Sequence, residues 1–257
     1  MIKFLKCVKY GFWGAWLVLL LVALITVSVL NYQTIPTWHQ TIPSENFVLH
    51  HSDDYQRAAK KSRQSTVKIS SRNLKLWNGA ATTTGTYFTA NKKHYVITVH
   101  HGIIGPCWLQ SVIYHGEHYS CKEYVKVDVE NDYVIIELEA SLKGATPIKI
   151  PQDLPHGGQW KKSYSILNSI IYTGYPNVIG PLTLRGDVVG YSEEQYLYIF
   201  SHAYGGASGS GIFTKEGKYI GYIVAIDVGS TEFGVDVLEN IVVVAPAFNV
   251  DWNVVIN

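Results

Sequence analysis

Three short stretches of this 257-residue chain hold the residue types that acyl-transfer chemistry requires. Tyr204-Gly205-Gly206-Ala207-Ser208-Gly209-Ser210-Gly211 sets a serine among four glycines. A regular strand does not run through so many glycines, so the segment reads as a tight turn with bare backbone amides. Taken alone, it is an ordinary Gly/Ser hairpin loop. Upstream, Ile97-Thr98-Val99-His100-His101-Gly102-Ile103 closes a β run on two histidines. Asn131-Asp132-Tyr133 then opens another apolar run with an aspartate at its mouth. A serine hydroxyl is a weak nucleophile near neutral pH. It needs a base within hydrogen-bond reach, and that base needs an acceptor to fix its tautomer and stabilise the imidazolium. The N–H groups of Gly206 and Ser208 can converge on one point, as an oxyanion hole demands.

The elements that must position these residues are β-strands. Low charge with many Tyr, Val, Ile and Thr indicates a β-rich, well-packed protein. Ser52-Asp53-Asp54 reads as a helix start, with the helix running to about Ser65. Short β runs follow: Thr66–Ser70, Thr83–Thr89, Tyr95–Val99, Trp108–Tyr114, Tyr119–Val127 and Tyr133–Glu139. Pro147 to Gln159 reads as a connection. A second set comprises Tyr164–Thr173, Leu182–Tyr191, Tyr196–Ser201, Gly211–Thr214, Tyr219–Ile226 and Ile241–Ala245. About six strands per half indicate two small antiparallel barrels or a sandwich. His and Asp then come from one half and Ser from the other, which puts the site in the cleft between them.

Chain order separates hydrolase architectures. The order here is His, Asp, Ser, whereas α/β-hydrolases run Ser, Asp, His and subtilisins Asp, His, Ser. The nucleophile-elbow pattern G-x-S-x-G also fails, because the position two after Ser208 is Ser210.

At this point the chain resembles the trypsin/chymotrypsin-like serine peptidases, particularly compact bacterial and viral members. Thr84-Gly85-Thr86-Tyr87-Phe88 resembles the family's T-G-(S/T)-G-F strand, and Ile97-Thr98-Val99-His100-His101 its L-T-A-x-H. Asp132-Tyr133-Val134-Ile135-Ile136 resembles D-(I/L)-A-(V/L)-(L/I), and Gly174-Tyr175-Pro176 the G-(Y/N)-P turn. Gly206-Ala207-Ser208-Gly209-Ser210 followed by Tyr219-Ile220-Gly221 resembles G-(D/N)-S-G-(G/S) followed by (V/I)-(V/I)-G-I. The resemblance covers roughly Thr66 to Asn249. It implies two six-stranded barrels, Ser208 as nucleophile, His101 as general base and acid, Asp132 as orienting carboxylate, and Gly206 and Ser208 as oxyanion donors. His101 is preferred to His100 because the motif sets the base three residues after the threonine. Asp128 is a weaker rival to Asp132. Ala207 stands where zymogen-activated members carry an aspartate, so no activating N-terminal cut is expected. Gly211 stands where the family usually has proline. The segment before the serine implies that His202 floors the specificity pocket, with Val224, Ala225 and Ile226 as a small apolar wall.

The remaining features bound the setting. Phe12 to Leu30 is nineteen residues without charge or proline. As a helix it would be about 28 Å long, close to the roughly 30 Å hydrocarbon core of a bilayer. Lys3, Lys6 and Lys9 precede it, so the N-terminus is expected in the cytoplasm and the rest outside. A signal anchor over residues 1–30 is therefore expected, with a cleaved signal peptide as the rival. A linker and short helix over 31–65 and barrels over 66–150 and 151–257 complete the expected organisation. Net charge is +1 and no Lys/Arg run exceeds two, so a nucleic-acid footprint is absent.

Cys107, His115, His118 and Cys121 raise a disulfide or zinc site as possibilities. A hairpin folded at Gly116-Glu117 would set Val112 opposite Cys121, leaving Cys107 about 17 Å further along. Bridged Cα atoms lie within about 7 Å. Two ordinary thiols and two surface histidines are thus the default expectation, and no cofactor or metal is expected. The reading is a membrane-anchored serine endopeptidase acting on peptide or protein substrates. A non-cleaving peptide-binding scaffold and a viral or phage polyprotein protease are the alternatives.

Overall fold

The computed structural model describes residues 53–73, 79–151, 160–231 and 234–256, together with Leu20 and Val22. Helix α1, Asp53–Ser65, leads into twelve strands. The first six are β1 (Thr66–Arg72), β2 (Ala80–Ala90), β3 (Lys93–Thr98), β4 (Gln110–Tyr114), β5 (Glu117–Asp128) and β6 (Tyr133–Leu138). They close into an antiparallel barrel in the order β1-β2-β3-β6-β5-β4. After a single helical turn at Trp160–Ser163 come β7 (Ser169–Gly174), β8 (Leu182–Tyr191), β9 (Leu197–Phe200), β10 (Gly211–Thr214), β11 (Tyr219–Thr231) and β12 (Gly234–Pro246). These close a second barrel, β10-β11-β12-β9-β8-β7, so the two-barrel expectation holds.

Period-two patterning explains how the barrels close and then dock. In β1, Val67 and Ile69 are fully buried while Lys68 and Ser70 between them are half-exposed. All six residues of β6 are buried, because both of its faces are covered. Val134, Ile136 and Leu138 join Val67, Ile69 and Val96 inside the first barrel. The alternate residues Tyr133 and Ile135 face outward, with Phe88, Tyr95 and Ile97, onto Phe213, Tyr219 and Tyr222 of the second. This shared layer joins the barrels along one seam. Helix α1 bridges them too: it runs straight into β1 yet packs Ala58 and Ala59 on Ile171 of β7. Ser62 Oγ donates to Thr173 Oγ1 at 2.9 Å, and Arg63 Nη1 to Thr183 Oγ1 at 3.0 Å.

Three expectations change. β4 begins at Gln110, not Trp108, because Cys107–Leu109 forms a 3₁₀ turn. The β4–β5 turn falls on His115 and Gly116, both at positive φ, which pairs Val112 with Tyr119. The slipped register and the tight turn carry Cys107 back over β5. Cys107 and Cys121 form a disulfide with Cα atoms 5.4 Å apart, in place of the two free thiols expected. The bridge removes both thiolates from any zinc site, and His118 Nδ1 is bonded to Ser111 Oγ at 2.7 Å. Third, β11 extends to Thr231, five residues past Ile226, and β12 begins at Gly234, seven before Ile241, because the two segments pair from Asp227↔Leu238 to Thr231↔Gly234. Residues 12–30 lie outside the described residues apart from Leu20 and Val22. Among the described residues, no helix is long and apolar enough to cross a membrane.

Candidate active site

Strand β3 delivers the histidine. Thr98 ends the strand, and the chain turns with Ile103 N–H donating to His100 O at 2.9 Å. The aspartate comes from the β5–β6 turn, where Asp132 takes φ +52, a left-handed conformation that Asp tolerates better than most residues. Asp128 caps that turn by accepting the Asn131 N–H at 2.9 Å. Burial opposes ionisation of Asp128, but the Asn131 hydrogen bonds outweigh it and hold the carboxyl below its ordinary range. Asp128 is thus a loop fastener and takes no part in the histidine contact. From the second barrel, Tyr222 hydroxyl donates to Asn131 O at 2.7 Å. Burial pushes the Tyr222 phenol far up, so it stays a neutral donor.

Asp132 grips His101 at two points. Its Oδ2 accepts from His101 Nδ1 at 2.6 Å, and its Oδ1 accepts the His101 backbone N–H at 2.9 Å. The His100 N–H donates to the Asp132 carbonyl at 3.2 Å. With Nδ1 committed as donor to a carboxylate, Nε2 carries the free lone pair of a neutral ring. That nitrogen is the one able to take a proton.

Ser208 sits in the glycine turn, whose amides divide into two sets. Ala207, Gly209 and Ser210 N–H groups donate inward to Tyr204 O, Ile223 O and Ala207 O, at 3.0, 2.7 and 3.0 Å. Among the described residues, no acceptor meets the N–H of Gly206 or Ser208. Gly206 takes φ +96, and a Cβ there would come within 2.5 Å of Tyr175 O. Gly209 takes φ +85, and its Cβ would fall 2.0 Å from Thr84 O. Both glycines are therefore required by close backbone approach as well as by φ.

The first barrel holds this turn from behind. Ser208 O accepts Thr84 N–H at 2.9 Å and Thr83 Oγ1 at 2.6 Å. Thr84 Oγ1 donates to Gly206 O at 2.7 Å and accepts Tyr175 N–H at 3.0 Å. Thr98 Oγ1, just before the histidines, donates to Thr84 O at 2.7 Å. One run of threonines thus ties the histidine strand to the serine turn. Sequence reasoning read Thr83 and Thr84 only as strand formers. The three consecutive threonines were the available signal.

His101, Asp132 and Ser208 line one cavity of about 460 Å³ between the barrels, together with Tyr196, Tyr204, Gly205, Val224 and Ala225. Tyr196 and Tyr204 were not anticipated from sequence. His202 is not among the lining residues: it is exposed, and its carbonyl accepts the Tyr172 hydroxyl. Ile226 pairs with Val242 through its backbone, and its side chain lies outside the described positions. A larger cavity, about 810 Å³, is lined by Lys61, Lys149, Lys218 and neighbours and contains none of these groups.

No protein-family model matches the chain, and no curated protein does. Among solved structures, the serine endoprotease from Yersinia pestis is similar, with a TM-score of 0.57 at 19% sequence identity. The match covers 82% of this chain and 68% of that one. At that identity the likeness is one of fold, which in this chain is a pair of closed six-stranded antiparallel barrels.

Proposed function

We propose that this chain is a serine endopeptidase, hydrolysing peptide bonds through an acyl-enzyme. The observation that carries the reading is the two-point Asp132–His101 contact in the same cleft as Ser208. The open Gly206 and Ser208 amides beside it supply the second half of the chemistry. Ser208 Oγ attacks the scissile carbonyl carbon as His101 Nε2 takes its proton, and the carbonyl oxygen becomes an oxyanion facing the two N–H groups. Collapse expels the amine, which receives the proton from His101. Water, deprotonated by the same nitrogen, then cleaves the ester. Asp132 keeps Nδ1 protonated and stabilises the imidazolium without itself taking the proton. Val224 and Ala225 make the adjoining wall small and apolar, which argues against a substrate side chain of Lys or Arg at that point.

Residues 12–30 complete the proposal as a membrane anchor with the barrels extracytoplasmic, supported by their nineteen uncharged positions and the three preceding lysines. Retention of the chain in carbonate-washed membranes tests that part separately.

Labelling with a fluorophosphonate tests the chemistry. Label on the wild type, absent from Ser208→Ala and His101→Ala, is the expected result. Folded wild-type protein that takes no label would point to a binding scaffold.

A further inference from the structure

The larger cavity, about 810 Å³, shares no lining residue with the cleft of Ser208. Separate segments build it. Lys61 comes from α1, Asn91 from the β2–β3 turn, Lys149 from the chain after β6, Lys218 from the β10–β11 turn and Ile256 from the last helical turn. Both barrels and the helix that bridges them therefore meet around one opening. Small-molecule sites have volumes of roughly 300–1,000 Å³, so the size suits a compact organic ligand.

The charge of this cavity is one-sided. Three lysines line it against one carboxylate, Glu216, a balance of +2. Among the described residues, none of Lys61, Lys149 and Lys218 is ion-paired. Glu216 is engaged on its own hairpin, where the Thr214 hydroxyl and its own backbone N–H hold its carboxyl below the usual range. Lys61 is half-buried, and its Nζ donates to Gly217 O at 2.6 Å. That bond fixes the ammonium at the wall and uses one of its three N–H donors. Burial, and then the charge of Lys149, hold Lys61 below the ordinary lysine value. A like charge within reach disfavours the charged form, so the two ammonium groups repel. An anion set among the three lysines turns that repulsion into attraction. Beside the charge, Ala90, Ile150 and Pro151 add apolar wall.

We propose that this cavity binds an organic phosphate, with the phosphate group among Lys61, Lys149 and Lys218 and the organic body against Ile150 and Pro151. A phosphate monoester carries about −1.5 to −2 at neutral pH, which offsets the balance of +2. A soluble ester and a phospholipid head group share this chemistry. Because its wall comes from both barrels and from α1, the bound ligand ties the three together. The site is independent of the peptidase reading.

The test uses the full chain in neutral detergent with phenyl phosphate as the probe. A hundredfold excess over Kd is expected to raise the thermal midpoint by roughly 5–10 °C, saturably. Inorganic phosphate should bind more weakly, and sodium chloride at matched ionic strength should give no such rise. Lys149→Gln should weaken phenyl phosphate by about tenfold, the size of one charge-assisted contact. Its own midpoint without ligand should not fall, because Lys61 loses a like-charged neighbour. Lys162→Gln removes an exposed lysine outside the cavity and should leave Kd unchanged. Ser208→Ala should bind the probe as the wild type does. Vesicles separate the two sources. If phosphatidic acid in phosphatidylcholine vesicles abolishes the probe's effect, the ligand is a lipid head group, and if the effect survives, it is a soluble ester. A midpoint that responds to ionic strength alone would overturn the site. So would an unchanged Kd in Lys149→Gln, or an equal loss in Lys162→Gln.

Discussion

Thr84 of the first barrel holds Ser208 of the second: its N–H donates to the Ser208 carbonyl at 2.9 Å, and its hydroxyl reaches Gly206 O at 2.7 Å. The residue is fully buried, so water cannot replace either bond. The serine and both open amides therefore take their position from a strand that carries no reacting group.

Thr84→Val keeps the shape of the side chain and removes the hydroxyl. Gly206 O and Tyr175 N–H lose their partner, at a cost of about 1–3 kcal/mol in stability. We expect kcat to fall by about tenfold or more, since donors displaced from an oxyanion cost that much or greater. KM should change less. Urea denaturation and steady-state kinetics on the same preparation check both effects.

Tyr222→Phe removes the one hydroxyl that reaches across the seam to Asn131 O. The ring still fills the shared apolar layer, so the stability cost should stay near 1 kcal/mol. The carbonyl next to Asp132 is released, and the left-handed turn holding the carboxylate loosens. Activity should drop severalfold, with the thermal midpoint lowered by only roughly 2–4 °C.

Asp132→Asn leaves the turn geometry available but gives His101 Nδ1 a partner that can present N–H. The wrong tautomer then becomes accessible, and kcat should fall by about 10⁴-fold.

Glu137 is buried on β6 with Lys122 and Lys93 at 2.5 and 3.0 Å. Burial opposes its ionisation, but the two lysines outweigh it and hold the carboxyl below the ordinary value of 4.5. A depressed folded-state value stabilises the fold above the unfolded value, and that stability is lost as pH falls through the folded one. Stability should therefore decline on acidification below about 4.5. Glu137→Gln should flatten that part of the curve, as read from urea midpoints across pH.

The Cys107–Cys121 bridge closes a loop with a sequence separation of 14. A loop of that size restrains the unfolded chain by about 3 kcal/mol. Cys107→Ser should lower the thermal midpoint by roughly 6–12 °C. Reducing agent should bring the wild type to the same midpoint and leave the variant unmoved.

How much of this was legible beforehand can be traced residue by residue. Alternating Val67 and Ile69, the turn at Asn91-Lys92, and the apolar run from Tyr133 to Leu138 are local patterns, and they anticipated two sets of six strands. Chain order alone placed His101 and Asp132 in one half and Ser208 in the other. Local register was less legible. One misplaced turn residue at His115 moved the expected β4–β5 pairing by two positions and kept Cys107 from Cys121.

The sequence by itself determined the strand count, the order of the polar residues and the glycines at Gly206 and Gly209, since backbone preference and apolar period act over a few residues. Only the tertiary structure decided that Thr83 and Thr84 grip a turn 125 and 122 residues away. It also decided that Tyr222 fastens the loop of Asp132. These are hydrogen bonds between distant segments. They depend on how two barrels meet, and no local pattern encodes that.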